Sequence, residues 1–302
     1  MQRQWQGNTG GGNIGQRALI FLFNVFGLKP LYAVLMFVVP FYMLFARSGY
    51  LAVYHYFRQQ FGFSKLKAFC WTYKNHFRFG QVILDRFAMF SMARIANSRQ
   101  LFEVEIVGNE HFTRLVESEK GFVIVGSHVG NFEIGGYLLH SDKKRFNAVI
   151  YDGETEIVQQ NRSKLLNDNN ITLIPVKNDM SHLFAANIAL QNGEIVSMPA
   201  DRVFGSTKSV ECQFLNGKAD FPVGAFALAA AFEVEVLSVF CVKISAKKYK
   251  IFVQTCSCVP LRSPLTKREQ ISILAKNYVA ELEKIVRKYP EQWFNFYEFW
   301  KE

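Results

Sequence analysis

The sequence predicts an α/β fold: a central mixed, mostly parallel sheet flanked by helices, with an N-terminal hydrophobic helical segment ahead of it. Three observations point there. From Leu101 onward, short β-branched or aromatic runs alternate with helix-compatible stretches. The first hundred residues are instead aromatic and helix-compatible, and up to Leu84 they hold nine Lys or Arg and no Asp or Glu. Near the end, Thr266-Lys267-Arg268-Glu269 has the form of a capping box. Ile271, Leu274, Tyr278, Leu282 and Ile285 follow it at steps of three and four, as in an amphipathic helix.

In chain order, residues 1–17 read as a polar, glycine-rich arm without the charged start and short apolar core of a secretory signal. Residues 18–47 read as a membrane-anchoring segment in two apolar runs, interrupted at Lys29-Pro30 and with Pro40 inside the second. That length allows a single span through a hydrocarbon core of about 30 Å or a kinked pair of helices lying in the interface. Residues 48–100 form a helical cover punctuated by Gly62 and Gly80, and 101–302 the α/β part. Expected strands cover 102–107, 122–126, 146–151, 172–176, 194–198, 212–215, 235–242 and 249–254. Expected helices cover 111–117, 132–140, 154–167, 180–191 and 223–231. The aromatic tail from Trp293 to Trp300 suits either the core or a bilayer interface.

Composition narrows the class. Half of the 302 residues are apolar, with 30 Phe and 12 Tyr, and the formal charge is +10. The basic excess is concentrated in the N-terminal quarter among aromatics, which suits anionic lipid headgroups better than a nucleic-acid groove. Five cysteines form no CxxC pair and no zinc-ligand spacing, so a reducing compartment is expected and no metal site. Cys256 and Cys258 would face one side of a strand as a packed thiol pair.

The chemistry is expected in Val123-Ile124-Val125-Gly126-Ser127-His128-Val129-Gly130-Asn131-Phe132-Glu133, a buried strand, a glycine-bearing turn and a helix start. With His128 at the strand end and Glu133 in the first helical turn, the turn at Gly130 lets the carboxylate reach one imidazole nitrogen. The other nitrogen is then available to take a proton. Backbone N–H groups at Gly130 and Asn131 would serve as oxyanion donors. The same spacing also suits a histidine capping a strand and a glutamate favoured at a helix N-terminus.

This His-x-x-x-x-Glu pattern resembles the signature of the lysophospholipid acyltransferase superfamily, and the wider context resembles its late lipid A acyltransferase branch. The segment Glu194-Ile195-Val196-Ser197-Met198-Pro199-Ala200-Asp201-Arg202, then Phe214-Leu215-Asn216-Gly217-Lys218-Ala219 and Pro222-Val223-Gly224-Ala225-Phe226, is similar to later blocks of that branch in order and spacing. The resemblance implies that Asp201 lines the site, with Arg202 beside it, and that Arg162 lies near an acyl-donor or phosphate site. Read from chemistry alone, Asp201-Arg202 is also a turn ion pair and Arg162 a surface helix residue. The chain departs from the family in carrying Asp201-Arg202 where Asp-Gln is common, which leaves the acceptor open.

The expected activity is transfer of a fatty acyl group from acyl-carrier protein or acyl-CoA to a hydroxyl of a lipid acceptor, without cofactor or metal. The absence of a Gly-x-Ser-x-Gly elbow favours direct transfer without an acyl-enzyme. The resemblance and the basic residues after the apolar segment imply a bacterial inner membrane location, with the catalytic part on the cytoplasmic face. Acylation of another amphiphile, a catalytically silent membrane-binding module, and a metal hydrolase lacking a third ligand remain as alternatives.

Overall fold

The computed structural model describes residues 22–23, 25–92, 101–139, 141–151, 170–176, 181–203, 208–256 and 264–300. The expected arm 1–17, the expected helix 154–167 with Arg162 on it, and Cys258 lie outside the described residues.

Three helices come first: α1 (Leu28–Phe45), α2 (Arg47–His55), continued by a π-helical turn at Tyr56–Gln60, and α3 (Lys65–Met92). Lys29-Pro30 does not interrupt the apolar segment, because both fall in the first turn of α1. The backbone N–H that proline lacks has no intrahelical partner there anyway. Gly80 does not break α3 either. It sits where α1 crosses, and a Cβ there would come 3.0 Å from Leu35 Cδ2, so the missing side chain lets the two helices approach.

The α/β part runs β1 (Glu103–Val107), α4 (Asn109–Glu117), β2 (Phe122–Gly126), α5 (Phe132–Leu138), β3 (Phe146–Tyr151), β4 (Ile171–Val176), α6 (Ser181–Gln191) and β5 (Ile195–Pro199). It continues with β6 (Ser209–Phe214), β7 (Gly217–Pro222), α7 (Gly224–Phe232), β8 (Val236–Lys243), β9 (Lys248–Thr255) and α8 (Lys267–Lys288), and then a 3₁₀ turn at Pro290–Gln292. Seven strands form one sheet in the order β1-β9-β8-β2-β5-β3-β4. The hairpin β8–β9 is its antiparallel pair and the remaining pairings are parallel. A short turn can join only antiparallel neighbours, whereas parallel neighbours need a crossover.

Strand β7 was not expected as a strand. It pairs with β6 in a separate two-stranded sheet, turned at Leu215, whose φ is +54°. Alternation along β2 divides the core: Val123 and Val125 pack with Phe226, Tyr278 and Trp293, while Phe122 and Ile124 pack with Leu31, Tyr32 and Tyr249. The capping box at Thr266 is present, with Glu269 closing it. The aromatic tail packs on the core. Trp293 is 1% exposed and meets Tyr56, Phe214, Phe299 and Trp300 at ring-centroid distances of 5.0 to 5.7 Å.

Candidate active site

β2 and β5 are parallel neighbours whose last residues, Gly126 and Pro199, stand in register. Two residues past each end come His128 and Asp201, so the sheet delivers both side chains to one point beyond its carboxyl edge. His128 Nδ1 lies 2.8 Å from Asp201 Oδ1. The other carboxylate oxygen accepts the His128 backbone N–H at 2.9 Å and the Trp293 indole N–H at 3.3 Å. Asp201 is 1% exposed and His128 25%.

Trp293 reaches this position because the tail bridges the active turn: Val129 pairs antiparallel with Trp293, and the Phe294 N–H donates to the His128 carbonyl at 2.9 Å. The indole donor on Asp201 was not expected from the sequence, where the tail gave only an aromatic signal.

The expected hydrogen bond from the His128 ring to the Glu133 carboxylate is therefore replaced. Asp201 occupies Nδ1, and Glu133 Oε1 accepts from an Arg86 guanidinium nitrogen at 2.7 Å across to α3. Glu133 stays close enough to act on His128 through its charge. Its position in the first turn of α5, with the turn of backbone between, directs it toward α3 instead. Asp201, expected to line the site, is enclosed and holds His128, with the Trp293 indole N–H on the same carboxylate. Arg86 had a signal of its own in the sequence, since Asp85-Arg86 ends the acid-free N-terminal stretch.

The expected oxyanion donors are also corrected. The Gly130 N–H donates to the Gln292 carbonyl at 2.7 Å and the Asn131 N–H to the Cys241 carbonyl at 2.7 Å, so both are consumed in fastening the turn. Gly130 adopts φ +61°, and a Cβ there would stand 2.0 Å from the Cys241 carbonyl oxygen, which only glycine tolerates. Asn131 caps α5, its side-chain oxygen accepting from the Ile134 N–H at 3.3 Å.

Burial pushes the His128 imidazole below its ordinary pKa of 6.5, the Arg202 charge adds to this, and Asp201 and Glu133 oppose it. Burial acts against ionisation of Asp201, but His128 and Arg202 together draw its carboxyl down to about 2. The pair thus rests as a carboxylate and a neutral imidazole near neutral pH. An ionised carboxylate only accepts, so the ring proton belongs on Nδ1 and the lone pair on Nε2.

Arg202 is held by a hydrogen bond to the Phe294 carbonyl, and its guanidinium lies 5.8 Å from the Tyr297 ring centroid. Its Nε is buried without a hydrogen-bond partner. Among the described residues no three His, Cys, Asp or Glu side chains stand close enough to share a metal ion.

An apolar cavity of about 90 Å³ opens beside this pair, between α5 and the sheet. Ser127 and Glu133 line it together with Gly135, Gly136, Phe146 and Leu173. Gly135 lets α5 seat closely on β8, since a Cβ there would be 2.8 Å from that of Cys241.

A family model described as bacterial lipid A biosynthesis acyltransferase matches residues 74–302. No curated protein matches the chain. Among solved structures, the chain is similar to the 1-acyl-sn-glycerophosphate (LPA) acyltransferase PlsC from Thermotoga maritima. The identity is 14% and the TM-score 0.38, over 88% of this chain and 99% of that one.

Proposed function

Because the chain belongs to the bacterial lipid A biosynthesis acyltransferase family, and so is an acyltransferase acting on lipids, we propose that it moves a fatty acyl group from a thioester to a hydroxyl of a lipid A precursor. The donor is acyl-carrier protein or acyl-CoA. The observation that carries the reading is the His128–Asp201 pair at the carboxyl edge of the sheet, next to an apolar cavity lined by Ser127 and Glu133.

In this reading His128 Nε2 takes the proton of the acceptor hydroxyl as its oxygen attacks the thioester carbonyl. Asp201 holds the ring and stabilises the imidazolium that forms. Collapse of the tetrahedral intermediate breaks the carbon–sulfur bond, and the departing thiolate recovers the proton from Nε2. Arg202 supplies positive charge beside the developing oxyanion, a role that the Gly130 and Asn131 amides are too committed to fill. The cavity takes part of the acyl chain. Arg162 and Arg202 are the cations offered to phosphate on the acceptor.

The membrane reading rests on α1. Among the described residues it is the one helix long and apolar enough to cross a bilayer. Leu28, Leu31 and Tyr32 are buried in the protein, whereas Phe37, Leu44 and Phe45 are 72, 75 and 86% exposed. The stretch from Ala33 to Phe45 spans about 20 Å at ~1.5 Å per residue, short of a hydrocarbon core of about 30 Å. We therefore favour insertion into one leaflet of the inner membrane from its cytoplasmic face. Exposed Leu66 and Phe69 of α3 would join α1 there, and Lys29, Arg47, Lys65 and Lys67 would meet anionic headgroups.

The test is incubation of purified protein in anionic vesicles with acyl-carrier-protein or CoA thioesters and a lipid A precursor, followed by mass spectrometry of the lipid. An ester-linked acyl gain that His128→Ala abolishes is the expected result. Thioester consumption with no change in that precursor would move the acceptor to another amphiphile, and no consumption at all would overturn the acyl-transfer reading.

A further inference from the structure

Beneath the active turn lies a fully buried ionic group that the reaction scheme does not use. Asp85 of α3 and Lys243 of β8 form an ion pair with both side chains at 0% exposure. Two tyrosines from different elements complete it. Tyr32 of α1 donates to Asp85 Oδ1, and Tyr249 of β9 donates to Asp85 Oδ2. Lys243 Nζ also donates to the Tyr32 hydroxyl at 3.1 Å and to the Ala246 carbonyl at 3.2 Å. Both carboxylate oxygens and the ammonium are thus satisfied, the condition under which burying such charges is tolerable.

This group is tied to the active turn by two routes. Through side chains, the Asn131 amide donates to the Tyr249 hydroxyl at 3.4 Å and to the Val82 carbonyl of α3 at 3.3 Å, and Asn131 is the cap of α5. Through the backbone, Lys243 exchanges two hydrogen bonds with the Gln292 side chain, at 2.8 and 2.9 Å, and the Gln292 carbonyl accepts from Gly130. Gly130 and Asn131 lie between His128 and Glu133. The next residue of α3, Arg86, holds Glu133. Through Asn131, Gln292 and Arg86 the turn is therefore tied to α3 and this buried group, and Tyr32 brings in α1, the helix with the exposed apolar face.

We propose that Tyr32, Asp85, Lys243 and Tyr249 are positioning residues for the acyl transfer: the chain Tyr32–Asp85–Tyr249–Asn131 transmits the seating of α1 to the turn that carries His128. None of the four touches substrate; they act through the cap of α5. The physical basis is that a buried carboxylate with all its donors in place permits one arrangement of the elements around it. Losing a donor leaves a buried acceptor short of a partner and loosens what it held. This inference rests on the acyl-transfer reading for its kinetic readout, but not for its structural one.

Tyr32→Phe is the test, since it deletes the donor and keeps the ring that packs on Leu31 and Met89's cluster. Leu228→Ala is the control, because it removes a buried side chain of α7 in the other half of the core and leaves α1 and the chain untouched. Both are measured in full-length protein on vesicles, with Tyr249→Phe and the double tyrosine variant alongside. The expected result is a drop in kcat of about three- to tenfold in Tyr32→Phe, with KM for the thioester unchanged. Amide hydrogen exchange across residues 128–134 should rise by a similar factor. The double variant should be little worse than the more damaging single one, as for groups acting in series. Leu228→Ala should lower thermal stability while leaving exchange in the turn as in wild type. Folded Tyr32→Phe protein with wild-type exchange in the turn overturns the proposal, as do additive losses in the double variant. If wild type and His128→Ala consume thioester alike, it is the function that fails, and the exchange measurement still decides the coupling.

Discussion

His128 Nδ1 and Asp201 Oδ1 stand 2.8 Å apart although the residues are 73 positions apart in the chain. The same carboxylate also accepts the His128 backbone N–H, so side chain and main chain of the histidine are fixed by one residue. Exchanging that partner for an amide keeps the shape and removes the charge. Asp201→Asn should lower thioester turnover by about 10²-fold or more and His128→Ala by roughly 10²- to 10⁴-fold. The double variant should match His128→Ala, because a base and the group that orients it are lost together. Kinetics on the three folded variants check this; multiplying losses would separate the two residues.

The pH profile follows from the depressed imidazole. Only neutral His128 accepts a proton, so kcat should fall as pH drops through a pKa below 6.5, and be flat above it. Since Arg202 helps to hold the imidazole down, Arg202→Gln should move that acid limb to higher pH, while retaining a donor for the Phe294 carbonyl. The folded protein binds fewer protons at this site than the unfolded chain between the folded pKa and 6.5, so this histidine's contribution costs stability as pH falls through that window. Rate profiles of wild type and variant give the answer, and an unmoved or lowered limb contradicts the assignment.

Glu133 and Arg86 form a part-buried ion pair at 2.7 Å, with side chains 16 and 21% exposed. A double-mutant cycle on Glu133→Gln and Arg86→Gln should give a coupling of about 0.5–3 kcal/mol in unfolding free energy. Activity should fall in both single variants, through displacement of the first turn of α5 and the cavity beside it. Denaturant titration supplies the coupling, and strictly additive effects would show that the contact carries no energy.

Attachment to membranes should survive high salt, since apolar burial is not screened. Replacing Phe41 and Phe45, both exposed on α1, by Glu removes about 1.5–3 kcal/mol of transfer free energy per side chain. Vesicle partitioning should then fall by at least about tenfold, with the melting temperature little changed. Sedimentation with vesicles in 1 M salt, expressed as about 3 Å of screening length, reports it. Release of the wild type by salt alone would reduce the contact to headgroup electrostatics.

Much of this was legible along the chain. The uninterrupted apolar run of β2, the small residues at its end, the capping box at Thr266 and the alternation of strands with helices follow from local sterics and periodicity, which act over a few residues. So did the apolar character of the first helix. Strand β7 was missed because Gly217–Pro222 lacks a run of β-branched residues, and its pairing with β6 supplies what propensity does not.

The partners of the site were decided by tertiary structure. Proximity in sequence suggested Glu133 for His128 and the amides of Gly130 and Asn131 for an oxyanion. Which residues actually meet depends on strand order, and no periodicity encodes that β2 lies beside β5 and β8. That order brings Asp201 to the imidazole and places the Cys241 carbonyl against the Asn131 amide, while the tail adds Trp293 and Gln292. The physical reason is one of range. Backbone preference and hydrophobic patterning are set within a turn or a strand, whereas a buried histidine, carboxylate or amide takes whichever complementary group the packed elements bring within about 3 Å.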